Sequence, residues 1–382
     1  MKFNYRIESS LMLTLVFLLL ACSSNRENTN DSIEEYELVL NDSIVIENLS
    51  RIQLFSYIES ENQFLGFSRE EELIVIVDEN GQILKKQDLK GNSPNSYGYT
   101  INNLGIVDEL YCIVNDNNIL FYDSTFNLVK KFKNEPNMYV QSPSPFGGTP
   151  YVGDIESGKL LLVPNFSLDF VPESETSLTK VIEYFDFADL KHGGSFDFSV
   201  YKDGLSSVFY DMMTPVVAVD RNNSFIYLSN PVFDRLWVLD GTDFSLKNTF
   251  ELDLPFKDNK SLPLDIPHGS EERVNQFLDT KRIFNIIPIS SDMFGIVYYE
   301  GMDTENKSLA KEVGLSNNIL YNLGNFKCVV YRDGVAVKKL LWPNGKFICF
   351  TGANDFLFEF PENFIKEEES TKYYIYEFPS NM

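Results

Sequence analysis

Val75-Ile76-Val77-Asp78-Glu79-Asn80-Gly81-Gln82-Ile83-Leu84-Lys85-Lys86 decides the fold. An apolar strand ends at an aspartate, a turn follows, and a second strand runs through lysines. The pattern returns as Leu120-Phe121-Tyr122-Asp123-Ser124-Thr125-Phe126-Asn127-Leu128-Val129-Lys130-Lys131, and again as Trp237-Val238-Leu239-Asp240-Gly241-Thr242-Asp243-Phe244-Ser245-Leu246-Lys247. A fourth copy is Val330-Tyr331-Arg332-Asp333-Gly334-Val335-Ala336-Val337-Lys338-Lys339. Aspartate bonds its own backbone and glycine tolerates positive φ, so each copy reads as a hairpin. Asp78 and Asp123 stand 45 residues apart, the length of one four-stranded propeller blade. In that unit the strand after the turn is outermost, and lysines there discourage pairing with another chain.

Outward from the repeat the pattern stays β from Tyr36 onward. Leu73–Val77, Ile119–Tyr122, Leu160–Val163, Phe225–Leu228, Leu236–Leu239, Gly295–Tyr299, Phe347–Phe350 and Tyr373–Tyr376 are short apolar runs bounded by Asn, Asp or Gly. Several are continuously apolar, which requires cover on both faces. Asp123 to Asp240 is 117 residues and Asp240 to Asp333 is 93, so each interval is expected to hold two blades. The intermediate ones would lie at Glu183–Asp186 and around Ile283–Ile287. The fold class expected is all-β: a β-propeller over 36–382, with six blades, or seven as the alternative, and short helical insertions. Glu37–Ile46 is expected to pair with Tyr373–Phe378 and close the ring. Ser270-Glu271-Glu272-Arg273-Val274 starts one helix, with Val274, Phe277 and Leu278 on one face.

The start of the chain carries a different signal. Lys2 and Arg6 precede the apolar run Leu11–Leu20, too short for a permanent membrane span and of the length found in secretion signals. Leu19-Leu20-Ala21-Cys22 resembles the lipobox of bacterial lipoproteins. The resemblance implies a signal peptide over 1–21, acylation of Cys22, and a mature chain beginning there. Residues 22–35 are polar and read as a flexible tether. Ser23 and Ser24 resemble an outer-membrane address, with the periplasmic face favoured over the cell surface.

The formal charge is −24, and loss of the leader makes it about −25. This argues against nucleic acid, which needs a basic footprint, and against adsorption to anionic lipid. The acyl anchor on Cys22 is therefore the expected membrane contact. Cys112, Cys328 and Cys349 sit in apolar runs and read as buried small hydrophobes, with a Cys328–Cys349 bridge left open. Neither a zinc motif nor any cofactor motif is present; the Asp78 run lacks the further ligands of a calcium loop.

The lipobox, the Asp-turn-Lys repeat and Gly91-Asn92-Ser93-Pro94-Asn95-Ser96-Tyr97 together resemble Bacteroidetes-type lipoproteins built on a six-bladed β-propeller. That group includes a family catalogued only as a domain of unknown function. The resemblance covers most of the mature chain, with Ser93 where the family pattern Gly-x-Gly-Pro-x-x-Tyr has glycine, and it implies no activity.

No nucleophile elbow, phosphate loop or His-Glu-x-x-His motif occurs. His192 reads as a loop residue, and His268 precedes the helix near Glu271 and Glu272. Most of the 32 Phe and 20 Tyr belong between blades. Tyr97, Tyr99, Phe146, Tyr151 and Tyr210 lie in polar or Gly/Pro/Asn-rich contexts and, with His268, are the candidate binding residues at the ring mouth. The function expected is a lipid-anchored binding or scaffold protein for a protein or glycan partner. The alternatives are a glycan-active enzyme using paired carboxylates and a structural subunit of an envelope complex.

Overall fold

The computed structural model describes residues 33–48, 50–101, 103–107, 109–115, 118–133, 216–220, 225–259, 270–290, 292–313, 317–351, 355–359 and 370–379. For 153–155, 159–162, 180–186 and 191–197 it describes the backbone alone. The chain divides at Glu34, and the following concerns the unit Glu35–Met382. Among the described residues no helix is long and apolar enough to cross a membrane.

The strands form antiparallel meanders in chain order. The first sheet is β3 (Ile52–Ile58), β4 (Gln63–Ser68), β5 (Leu73–Asp78) and β6 (Ile83–Gln87). The second is β7 (Asn103–Val107), β8 (Leu110–Val114), β9 (Asn118–Tyr122) and β10 (Leu128–Lys133), and the third is β11 (Gly153–Ile155), β12 (Lys159–Leu162), β13 (Lys180–Asp186) and β14 (Lys191–Asp197). The fourth is β15 (Val216–Asp220), β16 (Phe225–Ser229), β17 (Arg235–Asp240) and β18 (Leu246–Glu251). The fifth is β19 (Arg282–Ser290), β20 (Met293–Tyr299), β21 (Phe326–Arg332) and β22 (Val335–Leu341). The last combines β23 (Lys346–Phe350), β24 (Asp355–Glu359) and β25 (Ser370–Glu377) with β2 (Val39–Glu47) from the other end of the chain. First strands lie against one another, β23 on β3, β3 on β7, β7 on β11 and β15 on β19, and so form the inner ring of an all-β propeller.

The continuously apolar strands are explained by this stacking. Successive side chains of a strand point to opposite faces. Ile74 and Ile76 of β5 therefore pack on Tyr111, Ile113 and Leu120 of the second sheet. Val75 and Val77 between them pack on Ile44, Ile46 and Tyr373 of the last sheet. On β20, Phe294, Ile296 and Tyr298 face the fourth sheet, and Val297 and Tyr299 face Phe356 and Phe358. Five sheets are packed in this way through described side chains; the third is described by its pairing.

The expected closure is observed: β2 pairs with β25 antiparallel, Ile44 opposite Tyr373 and Ile46 opposite Thr371. Just before it, β1 (Glu35–Glu37) adds in parallel to β22, with Tyr36 opposite Leu340. This corrects one expectation: the edge of β22 is covered, with Lys338 Nζ 4.6 Å from the Tyr36 ring centre. A second correction concerns the interval from Asp240 to Asp333. Ile283–Ile287 lies in β19 of the sheet whose β21–β22 turn holds Asp333, so among the described residues the interval holds one sheet and no intermediate blade. Its length comes from helices: α1 (Glu271–Asp279), as expected, and α2 (Thr304–Val313) with α3 (Asn317–Leu323) between β20 and β21. No seventh sheet is found among the described residues. His192 lies in strand β14 rather than a loop.

The repeat hairpins divide into two kinds. Asp78 and Asp240 end their strands and Asp123 directly follows β9, and each carboxylate accepts backbone amides of its own turn: Asn80 and Gln82 at 2.9 and 2.8 Å, Thr125 and Asn127 at 2.9 Å each, and Thr242 at 2.7 Å. Asp333 is instead inside a two-residue turn, with φ of +50° at Asp333 and +78° at Gly334. In the first three the left-handed position is held by Gly81, Phe126 and Phe244. A Cβ on Gly81 would stand 2.1 Å from the Val45 carbonyl oxygen of β2, which explains glycine there. The two phenylalanines tolerate the strained φ because their rings are buried.

The Thr125 hydroxyl and the Asn127 amide hold the Asp123 carboxyl down at about 2. A depressed carboxyl stabilises the fold above its unfolded pKa, near 4. The contribution is lost as pH falls from about 4 toward about 2. Asp123→Ala is accordingly expected to lower Tm at pH 7, and thermal melts should show that difference vanish at the acid end. A constant difference down to pH 2 would reject the turn-anchor role.

Candidate functional site

First and third strands of each sheet run toward the hairpins, so the two ends of the ring differ. One end carries only tight turns. At the other end leave and rejoin the connections 88–102, 134–152, 163–179, 198–215, 252–281, 300–325 and 360–369. Every connection of ten residues or more belongs to this end. Loops positioned on a rigid scaffold are where binding groups concentrate.

The charged groups there are brought together by ring closure. Arg51 precedes β3, Arg69 follows β4, Lys346 opens β23, and Glu359 ends β24 as the cross-strand partner of Lys346. Glu359 is 2% exposed, and Arg51 donates to its Oε1 from both Nε, at 3.0 Å, and Nη2. Burial alone would lower Arg51, but Glu359 outweighs it and raises the guanidinium pKa. Arg69 N donates to the Arg51 carbonyl at 3.4 Å, and its Nε and Nη2 donate to Gln53 Oε1 at 3.1 and 2.8 Å. Exposed Glu70 reaches Arg51 electrostatically. Neighbouring Glu71 and Glu72 are engaged by Lys86 and Lys90. Tyr373 ties the sheets beneath, donating to the Ile52 carbonyl at 2.7 Å and accepting from Leu54 N at 3.0 Å.

The helical insertions flank this cluster. Ser270 Oγ caps α1 by accepting from Arg273 N at 3.2 Å, and Asp303 Oδ1 accepts from Asn306 N at 2.8 Å at the start of α2. Arg282, the first residue of β19, is 0% exposed. Its Nη1 donates to the carbonyls of Phe277 and Thr280 at 2.8 and 3.2 Å, which satisfies the last turn of α1. The guanidinium carbon lies 4.5, 4.8 and 5.2 Å from the ring centres of Phe277, Tyr299 and Phe284. Burial pushes Arg282 down to about 10, leaving it charged at neutral pH. Tyr321 of α3 is pushed up to about 12 by burial, with Arg282 and Glu359 acting on it in opposite directions.

The expected binding residues are distributed differently. Tyr97 is 2% exposed, fills the core between the first two sheets, and donates to the Glu72 carbonyl at 3.3 Å, so it is no stacking surface. Tyr99 is 63% exposed, and its hydroxyl accepts from Asn92 Nδ2 at 2.7 Å. Phe146, Tyr151, Tyr210 and His268 lie outside the described residues, as does Cys22. Cys112, Cys328 and Cys349 are free thiols raised by burial, Cys349 to about 12, so the Cys328–Cys349 bridge is not formed.

A ring of four-stranded antiparallel sheets, closed by the pairing of β2 with β25, defines an all-β propeller. The chain is similar to the crystal structure of a member of the DUF4221 family from Bacteroides vulgatus ATCC 8482, with a TM-score of 0.60 at 12% identity, over 90% of this chain and 99% of that one. Weaker likenesses are to a Bacteroides fragilis NCTC 9343 protein named as exported, TM-score 0.45 at 12% identity over 92% and 98% of the two chains, and to Kluyveromyces lactis Hsv2, TM-score 0.40 at 10% identity over 78% and 74%. No family model and no curated protein matches the sequence. At 12% identity the likeness to the DUF4221-family structure is one of fold alone.

Proposed function

We propose that this is a lipid-anchored binding propeller of the bacterial envelope. Cys22 carries the acyl chains, the segment to Glu34 is the tether, and the ring stands at the outer membrane, on its periplasmic face. We count the third sheet as a blade, which makes the ring six-bladed. The connection end captures a protein or glycan partner. The observation that carries this reading is the asymmetry of the ends: all the long connections at one, only hairpins at the other.

Photo-crosslinking in intact cells from Tyr99 at the connection end, against Thr242 at the hairpin end, tests the capture. Recovery of a defined protein or glycan from Tyr99 alone is expected. Recovery of lipid only, or equal capture from both ends, rejects it. Separately, Cys22→Ala should abolish labelling by radioactive palmitate and leave a precursor-sized chain; normal labelling would remove the anchor from the proposal.

A further inference from the structure

We infer that Lys346 and Arg69, beside Arg51 at the mouth of the ring, bind an oxyanion, the carboxylate or phosphate group of the ligand. The inference rests on the binding role proposed for this end and gives its ligand a chemistry.

The argument is one of unmatched charge. Arg51 is committed to Glu359, whose burial demands a cation. Arg69 is held by the neutral Gln53 amide, which fixes its direction without neutralising it. Lys86, Lys90, Lys247, Lys307, Lys311 and Lys327 are all ion-paired with carboxylates. Lys346 differs: the charges that reach its ammonium are those of Glu359, Arg69 and Arg51, and Glu359 is already paired. Burial pushes that ammonium below its ordinary pKa; Glu359 opposes the shift, and the two guanidiniums add to it. A chain of net charge −24 has abundant carboxylates, yet among the described residues the acids that act on Arg51 are Glu359, which it holds, and exposed Glu70. Two cations with no carboxylate partner of their own among the described residues, one a half-buried point charge and one a planar fork, match a group with several acceptor oxygens. They stand on the inner strand of one sheet and the second-strand end of the next, at the mouth where the partner would enter.

The test is amine acylation of the folded full-length chain, read at Lys346 by peptide mass spectrometry. Inorganic phosphate or D-galacturonate is added at ionic strength held constant with sodium chloride, with uncharged galactose as control. We expect severalfold slower labelling of Lys346 with one of the two anions, exposed Lys133 being unchanged. Protection by phosphate alone assigns a phosphate group, and protection by galacturonate alone a sugar carboxylate. Arg69→Gln, an exposed position, should keep the wild-type melt and lose the protection. Equal labelling of Lys346 with and without both anions overturns the inference. If Tyr99 still captured a partner, the binding role would survive that result; protection with lipid-only capture would do the reverse.

Discussion

Ile46→Asp is expected to leave no folded monomer. Ile46 is 0% exposed, packed among Ile52, Leu54 and Val75 of the first sheet and Leu357 and Tyr373 of the last. Those two sheets come from opposite ends of the chain, and β2 is the strand that joins them. A carboxylate there has no cation to meet, and its burial costs at least several kcal/mol, comparable with the roughly 5–15 kcal/mol of a whole domain. Size-exclusion chromatography and circular dichroism should show an aggregated or expanded chain with no cooperative melt. Val45→Thr, one residue away on the exposed face, should stay within about 0.5 kcal/mol of wild type. A wild-type melt for Ile46→Asp would mean that the ring holds without its first strand.

Arg282→Ala should cost about 3–5 kcal/mol, the range for deleting a large buried side chain. The substitution empties the space between Phe277, Phe284 and Tyr299 and strips the donors from two carbonyls at the end of α1. Arg282→Met should cost less, because it refills the volume and removes a desolvated charge. Urea midpoints of the three proteins decide it. An alanine variant within about 1 kcal/mol of wild type would show that the guanidinium does not pin the helical insertion.

The hairpins were legible because an aspartate closing its own turn is a local event, and so was α1, whose cap and apolar face are contiguous. The β2–β25 closure could be read because both segments are apolar, strand-like runs at opposite ends of the repeat region. The Asp240–Asp333 interval misled because α2 and α3 are inserted between β20 and β21, inside a sheet, where length imitates an extra blade. Their one local signal is Asp303-Thr304-Glu305-Asn306, a capping pattern. Tyr97 misled because its loop is rich in Gly, Asn and Ser yet returns its ring to the core. The cation cluster left no trace in the sequence: Arg51 and Glu359 are 308 positions apart, and only ring closure makes them neighbours.

The pairing of β2 with β25 also sets an order of assembly. On the ribosome β2 must wait for β25, since Ile46 meets Thr371 only after more than 300 further residues have been made. Contacts of such sequence separation are slow to form, because the loop they close is long. Until then the face of the first sheet that carries Val75 and Val77 lacks the cover of Ile44, Ile46 and Tyr373. Loss of a few residues from the C-terminus would therefore be felt first at the N-terminus, where β2 would be left without a partner.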